Sequence, residues 1–230
     1  MARRYASIAV VAALIVLAGI GVYNYAPNIL GGTTTTPTAT TFANKACTPS
    51  TSTSSGGANG TYALICTNLG LIEVQLFPAD APQTVANFVK LANSGFYNDL
   101  VWHRIVPNFV IQAGDPTTKN GGGNRSTWGQ GTSGTNIPFE NSSLTNTAGT
   151  IAMASTAAGK GGSSQFYINL VNTPSLNGNY AVFGQVINGM SVVNAIAKVP
   201  TITDSSSPQN QQPVNPASAY IVSVTIQNSP

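Results

Sequence analysis

The sequence predicts a mostly β domain, a closed antiparallel barrel of about eight strands with two short helices. Three observations lead there. Short apolar runs bounded by Gly, Asn and Pro recur from Tyr62 to the end, only two stretches carry helical spacing, and no internal repeat divides the chain. With 230 residues, 42% of them apolar, the chain can bury one sizeable core and an appendage.

The elements follow in order. Tyr62–Cys66 and Leu71–Phe77 are apolar runs joined by Thr67-Asn68-Leu69-Gly70, a hairpin signal. Asp80-Ala-Pro-Gln83 has the form of a helix start, in which Asp80 caps, Pro82 sits in the first turn and Gln83 completes a capping box. Val85, Phe88, Val89 and Ala92 continue it at helical spacing, and Gly95 supplies the stop. Strand-like runs come next at Leu100–Ile105, Phe109–Ala113, Thr150–Met153, Phe166–Leu170 and Ala181–Val186. Ser191–Ala197 reads as the second helix and Ile221–Ile226 as the last strand.

Ahead of this domain (residues 61–230) lie two segments of different character. Residues 1–30 hold Arg3 and Arg4, followed by an uncharged apolar run from Ala6 to Val22, with Tyr23 and Tyr25 behind it. A run of that length can cross a bilayer, the arginines would hold its start on the cytoplasmic side, and the tyrosines fall where an interfacial belt lies. The reading is an uncleaved single-pass membrane anchor that places the domain on the extracytoplasmic side. A cleaved signal peptide is the alternative, although no small-x-small site follows the run. Residues 31–60 are rich in Ser and Thr and lack the apolar groups that would offset the entropy of ordering, so they read as a stalk. Asn59-Gly-Thr61, Asn124-Arg-Ser126 and Asn141-Ser-Ser143 are N-glycosylation triplets, which arise readily by chance in a chain of this composition. Cys47 and Cys66 are the two cysteines. In an oxidising compartment they could pair and close a loop of roughly 18 residues, worth about 3 kcal/mol in the chain-entropy model, or remain free thiols.

Charge is sparse. Nine Lys or Arg stand against six Asp or Glu, and removing Arg3 and Arg4 leaves seven scattered singly along the rest. Nucleic-acid binders cluster their basic residues, so no nucleic-acid partner is expected. One His and two distant Cys do not make a metal-ligand set, and no cofactor motif is present. Gly159-Lys-Gly161 lacks the rest of a phosphate loop, and no Gly-x-Ser-x-Gly elbow exists. His103 is the one histidine, and its neighbour Arg104 falls on the opposite face of a strand, so a Ser-His-Asp relay has little to stand on.

What remains is the dense segment Trp102-His-Arg-Ile-Val-Pro-Asn-Phe-Val-Ile-Gln-Ala-Gly-Asp115. It resembles the signature of the cyclophilins around their catalytic arginine. Gly70–Pro78, Thr84–Phe88 and Gly95-Phe-Tyr97 are similar to the family's opening strand and helix. Ile137–Glu140, Gly149–Ala154 and Ser164–Ile168 are similar to its middle, and Val182–Val186 to the strand before its second helix. The matches keep family order from Tyr62 to Ile226. The resemblance implies a cyclophilin-like barrel and peptidyl-prolyl cis/trans isomerisation of proline-containing polypeptides, without cofactor, covalent step or acid–base chemistry. It gives Arg104 the catalytic role, as donor to the proline nitrogen of the twisted bond. It places Phe109, Val110, Tyr167 and Leu176 in the proline pocket, Gln112 on the substrate backbone, and Ala154, Ser155 and Gln165 in the groove for preceding residues. Tyr180 matches a position that the family fills with His or Tyr. Singly, the apolar residues read as barrel core and Arg104 as a surface charge; their joint order favours the site. The chain departs from the family's usual Phe at Tyr167, Asn at Ser155, Gly at Asn108 and Trp at Ser175. Since cyclosporin binds many cyclophilins partly against that indole, weak cyclosporin binding is expected here. The competing function is a proline-peptide holdase with little turnover, and a purely structural surface protein ranks below it.

Overall fold

The structure, a computed structural model, describes Cys47, residues 60–202 and residues 211–228. The expected anchor and nearly all of the stalk lie outside the described residues. Among those described, no helix is long and apolar enough to cross a membrane.

Among the described residues, ten strands and two α-helices make the domain. The strands β1 (Thr61–Thr67) and β2 (Gly70–Leu76) form the expected hairpin, followed by helix α1 (Pro82–Asn93). Then come β3 (Arg104–Val106), β4 (Val110–Ala113), β5 (Thr150–Met153), β6 (Phe166–Asn169) and β7 (Val182–Asn188). Helix α2 (Met190–Ile196), the short pair β8 (Thr201–Ile202) and β9 (Gln212–Pro213), and β10 (Ile221–Gln227) complete the chain. Eight of the strands form one antiparallel sheet in the order β10-β1-β2-β7-β5-β6-β4-β3.

The sheet is a half-barrel, which corrects the closed barrel expected from the sequence. Its end strands, β3 and β10, do not ladder together. The chain just before each meets through an isolated bridge between Val101 and Tyr220, with Trp102 N–H donating to Ala219 O (3.0 Å) and Ile221 N–H to Leu100 O (2.8 Å). The reason lies at β3. The strand expected over Leu100–Ile105 is reduced to three residues, and its Ile105 N–H donates outward to Gln211 O at 2.8 Å. That edge is therefore occupied by the segment entering the β8–β9 pair, which the sequence reading did not contain.

The concave face holds the main core. Alternation along the strands sends Ile65, Ile72, Val74, Ile105, Ile111, Ile151, Phe166, Ile168 and Phe183 inward, where Phe88 and Val85 of α1 meet them. Phe88 packs edge-on to Phe166 with ring centroids 5.5 Å apart, and Trp102 does the same at 5.7 Å. Removing Phe88 by substitution with Ala would cost about 3–5 kcal/mol, as for other large core truncations.

The start of α1 is also capped differently from the capping box read in the sequence. Ala81, not Asp80, precedes the helix and makes no side-chain cap bond. Instead the Glu140 carboxylate, from a loop distant in sequence, accepts from the N–H groups of Gln83 (2.9 Å) and Thr84 (2.7 Å) and from the Thr84 hydroxyl (2.7 Å). A carboxylate at the positive end of a helix satisfies two orphan donors and complements the helix dipole.

Candidate active site

The same alternation that fills the core leaves a second row of side chains on the other face of the sheet. Register places Arg104 opposite Gln112, Gln112 opposite Tyr167, Tyr167 opposite Ala152, and Ala152 opposite Val182. One line perpendicular to the strands thus crosses β3, β4, β6, β5 and β7. It carries a guanidinium at one end, an amide beside it, and an apolar floor beyond. Val110, Ala152, Tyr167 and Val182 form a buried cluster against which Phe109, Ala154, Leu176, Tyr180 and Leu144 pack.

Local geometry fixes the polar end. The turn between β3 and β4 closes with Phe109 N–H donating to Val106 O (3.1 Å), and Asn108 adopts φ 58° there. That conformation suits Gly best and Asn next, which accounts for an Asn where the family often has Gly. The turn brings Phe109 under the Arg104 guanidinium, 5.6 Å from its ring centroid. Arg104 Nη1 lies 3.4 Å from Gln112 Oε1. Gln112 Nε2 donates to Gln165 Oε1 at 2.9 Å, and Gln165 Nε2 donates to Gly129 O (2.9 Å) and Gly131 O (2.8 Å). Both glycines are held from behind by Asp115, whose buried carboxylate accepts from the N–H of Gly129 and, at 3.2 Å, of Gly131.

Arg104 is the cationic group among these side chains. Burial lowers its pKa, and the neighbouring Tyr180 and Tyr167 oppose that fall. Burial raises the pKa of both tyrosines, so their hydroxyls stay protonated. Their rings stand edge-on with centroids 6.0 Å apart. The arrangement sets a buried apolar cluster beside a cation and hydrogen-bonded amides.

The sequence-predicted residues Arg104, Phe109, Val110, Gln112, Ala154, Gln165, Tyr167, Leu176 and Tyr180 thus share one face. Ser155 differs: its hydroxyl donates to Gly161 O (2.9 Å) and closes the loop following β5. Sequence reasoning missed Ala152 and Val182, which strand alternation could have supplied, and Asn146, which it could not. Asn146 sits in an irregular loop, yet its Oδ1 accepts the Tyr167 hydroxyl at 2.8 Å. Outside the row, Cys47 and Cys66 are joined, with sulfurs 2.00 Å and Cα atoms 5.7 Å apart.

The face of the sheet away from the main core thus sets an arginine beside a buried apolar cluster. Residues 62–224 match the family model for cyclophilin-type peptidyl-prolyl cis-trans isomerases, and the chain belongs to that family. It is 41% identical over 168 residues to the peptidyl-prolyl cis-trans isomerase of Acinetobacter baylyi, a match covering 69% of this chain and 84% of the relative. With peptidyl-prolyl cis-trans isomerase-like 1 of Emericella nidulans it shares 40% identity over 139 residues, 59% of this chain and 80% of the relative. A crystal structure of a Cryptosporidium parvum cyclophilin-type isomerase superposes with a TM-score of 0.63 at 28% identity, covering 74% of this chain and 99% of that one. The chain is accordingly a cyclophilin-type peptidyl-prolyl isomerase.

Proposed function

We propose that the chain isomerises X–Pro bonds in exported or surface polypeptides, with Arg104 as the catalytic donor and the Tyr167 pocket as the seat of the proline ring. The barrier to rotation is about 18–20 kcal/mol, set by amide resonance. Twisting the bond localises the lone pair on the proline nitrogen, so a donor aimed there stabilises the transition state more than either ground state. The observation that carries this reading is the cross-strand row, which sets the guanidinium beside an apolar floor of Val110, Ala152 and Tyr167. A second structure of the Cryptosporidium parvum protein was obtained in the presence of the dipeptide Ala-Pro, which suits such a pocket. Gln112 is assigned to the substrate backbone, and Ala154 and Gln165 to the residues preceding proline. Ser155 lines the same groove through its backbone, since its hydroxyl is engaged.

The cellular setting rests on the sequence. Residues 1–30 serve as a membrane anchor, 31–60 as a stalk and 61–230 as an extracytoplasmic catalytic domain. The Cys47–Cys66 bond supports that side of the membrane, because disulfides persist in oxidising compartments. Protease added to intact cells should then release the domain; protection from it would place the domain inside.

The direct test is turnover of a proline peptide by the purified full chain and by Arg104→Ala. Losing one transition-state donor lowers turnover about 10²–10³-fold. A folded Arg104→Ala variant with wild-type turnover would overturn the assignment, and peptide binding by the native chain without turnover would establish the holdase instead.

A further inference from the structure

The proline pocket has two sides that come from different parts of the chain. Tyr167, on β6, is its floor; Leu176, in the single 3-10 turn Pro174–Leu176, is its wall. Both are tied to one residue. Asn146 is 1% exposed, and its side chain accepts from the Tyr167 hydroxyl (2.8 Å) and from Asn169 Nδ2 (3.1 Å). Its backbone N–H donates to Asn177 Oδ1 (2.7 Å), and its C=O accepts from Thr173 N–H (2.8 Å). Thr173 and Asn177 bracket the turn that carries Leu176, and Leu176 N–H in turn donates to Thr173 O (3.0 Å).

The orientation of these amides leaves no slack. Asn169 Nδ2 also donates to Thr150 Oγ1 (2.8 Å), and Asn169 Oδ1 accepts from the Thr173 hydroxyl (2.7 Å). Flipping either Asn amide would set donor against donor or acceptor against acceptor. A tyrosine hydroxyl buried at this depth needs a partner, because an orphaned one carries its full desolvation cost. Asn146 supplies that partner at the hydroxyl end of the ring.

We propose that Asn146, with Asn177 beside it, is the positioning residue of the proline pocket, holding the Tyr167 floor and the Leu176 wall at a fixed separation. It touches no substrate and acts through the groups it holds. The inference rests on the reading of this pocket as the proline site. A pocket that binds the ring equally in ground and transition states governs KM, whereas Arg104 governs turnover.

The experiment measures kcat and KM for one Xaa-Pro peptide with the full chain and its variants. Asn146→Leu is expected to raise KM about tenfold and Asn177→Ala about threefold, the range for loss of one or two buried hydrogen bonds, with kcat changed less than about twofold. In a Tyr167→Phe background, which removes the hydroxyl that Asn146 holds, Asn146→Leu should raise KM by a clearly smaller factor. A purely structural role would lower the melting temperature of both backgrounds alike without that coupling. If Asn146→Leu does not fold, Asn177→Ala decides alone, and an unchanged KM overturns the proposal. Val110→Ser separates the two readings. If it raises KM while the Asn variants do not, the positioning role is wrong and the pocket stands. If it also leaves KM unchanged, the proline site lies elsewhere and both fail.

Discussion

Lowering the pH from 7 to 5 should weaken the fold markedly while leaving the turnover of the folded enzyme unchanged, and the cause is His103. Its ring is 3% exposed, and neither ring nitrogen meets a partner at hydrogen-bond geometry. Burial lowers its pKa to about 4, Arg104 acts in the same direction, and Asp115, the Val101 backbone and the Gln165 side chain oppose the fall. The unfolded chain holds the same imidazole near 6.5. Between those values the unfolded state binds more protons than the native one, so stability is full above about 6.5 and is lost as pH falls toward 4. At 1.36 kcal/mol per pKa unit, integrating from pH 7 to pH 5 gives a loss of about 2 kcal/mol. Urea unfolding at the two pH values measures it, and His103→Gln, which cannot titrate, should remove most of the difference. An equal loss in wild type and variant would refute the assignment to His103. Turnover between pH 5 and 9 should stay flat because the arginine remains protonated throughout. A bell-shaped profile that vanishes in His103→Gln would instead make the histidine catalytic.

Other perturbations probe the remaining parts. Glu140→Ala removes the cap of α1 and should cost about 1 kcal/mol in unfolding free energy with KM unchanged; an unaltered denaturation midpoint would show the cap to be idle. Cys47→Ser should lower stability by about 3 kcal/mol under oxidising conditions and abolish the sensitivity of the fold to reductant. Ser175 is exposed in the turn before Leu176, where it offers neither apolar area nor an indole N–H, so cyclosporin should inhibit weakly. Ser175→Trp should tighten inhibition by up to about 30-fold, the scale of one binding hot spot, with little change in turnover. Tight inhibition of the native chain, unchanged by the Trp, would show that the turn does not face the inhibitor.

Much of the fold was legible because its signals are local. The β1–β2 hairpin is announced by two apolar runs four residues apart, and β5 occupies the very run, Thr150–Met153, that the pattern picks out. The second helix lies within a residue of expectation, over Met190–Ile196. The errors concern contacts between distant segments. Asp80 has the right chemistry and spacing to cap α1, yet Glu140 takes the place from 57 residues away. Barrel closure fails because Gln211 reaches the free edge of β3, and nothing in the polar run that precedes Gln211 has strand character to announce it. Asn146 was invisible for the same reason: an Asn in a Ser, Thr and Asn-rich loop has no pattern that separates a buried hub from a solvated turn.

The site divides along the same line. Three of the residues proposed to face substrate, Arg104, Gln112 and Tyr167, are carried by strands, and strand alternation with the correct register makes them readable as one row. Residues that hold the facing ones come from loops, where no period applies. Tyr167 shows the consequence. Against the usual Phe of the family, its hydroxyl looks like a polar intrusion into an apolar pocket. The structure pairs that hydroxyl with a buried amide 21 residues away in sequence, itself held by Asn169 and Asn177. The extra oxygen is satisfied by that amide, and the ring still packs in the apolar cluster, where the register of β4, β5 and β6 sets it beside Val110 and Ala152. A departure that a motif alone records as a loss is therefore matched by a hydrogen-bond partner, and the match is fixed by hydrogen-bond complementarity rather than by anything adjacent in the chain.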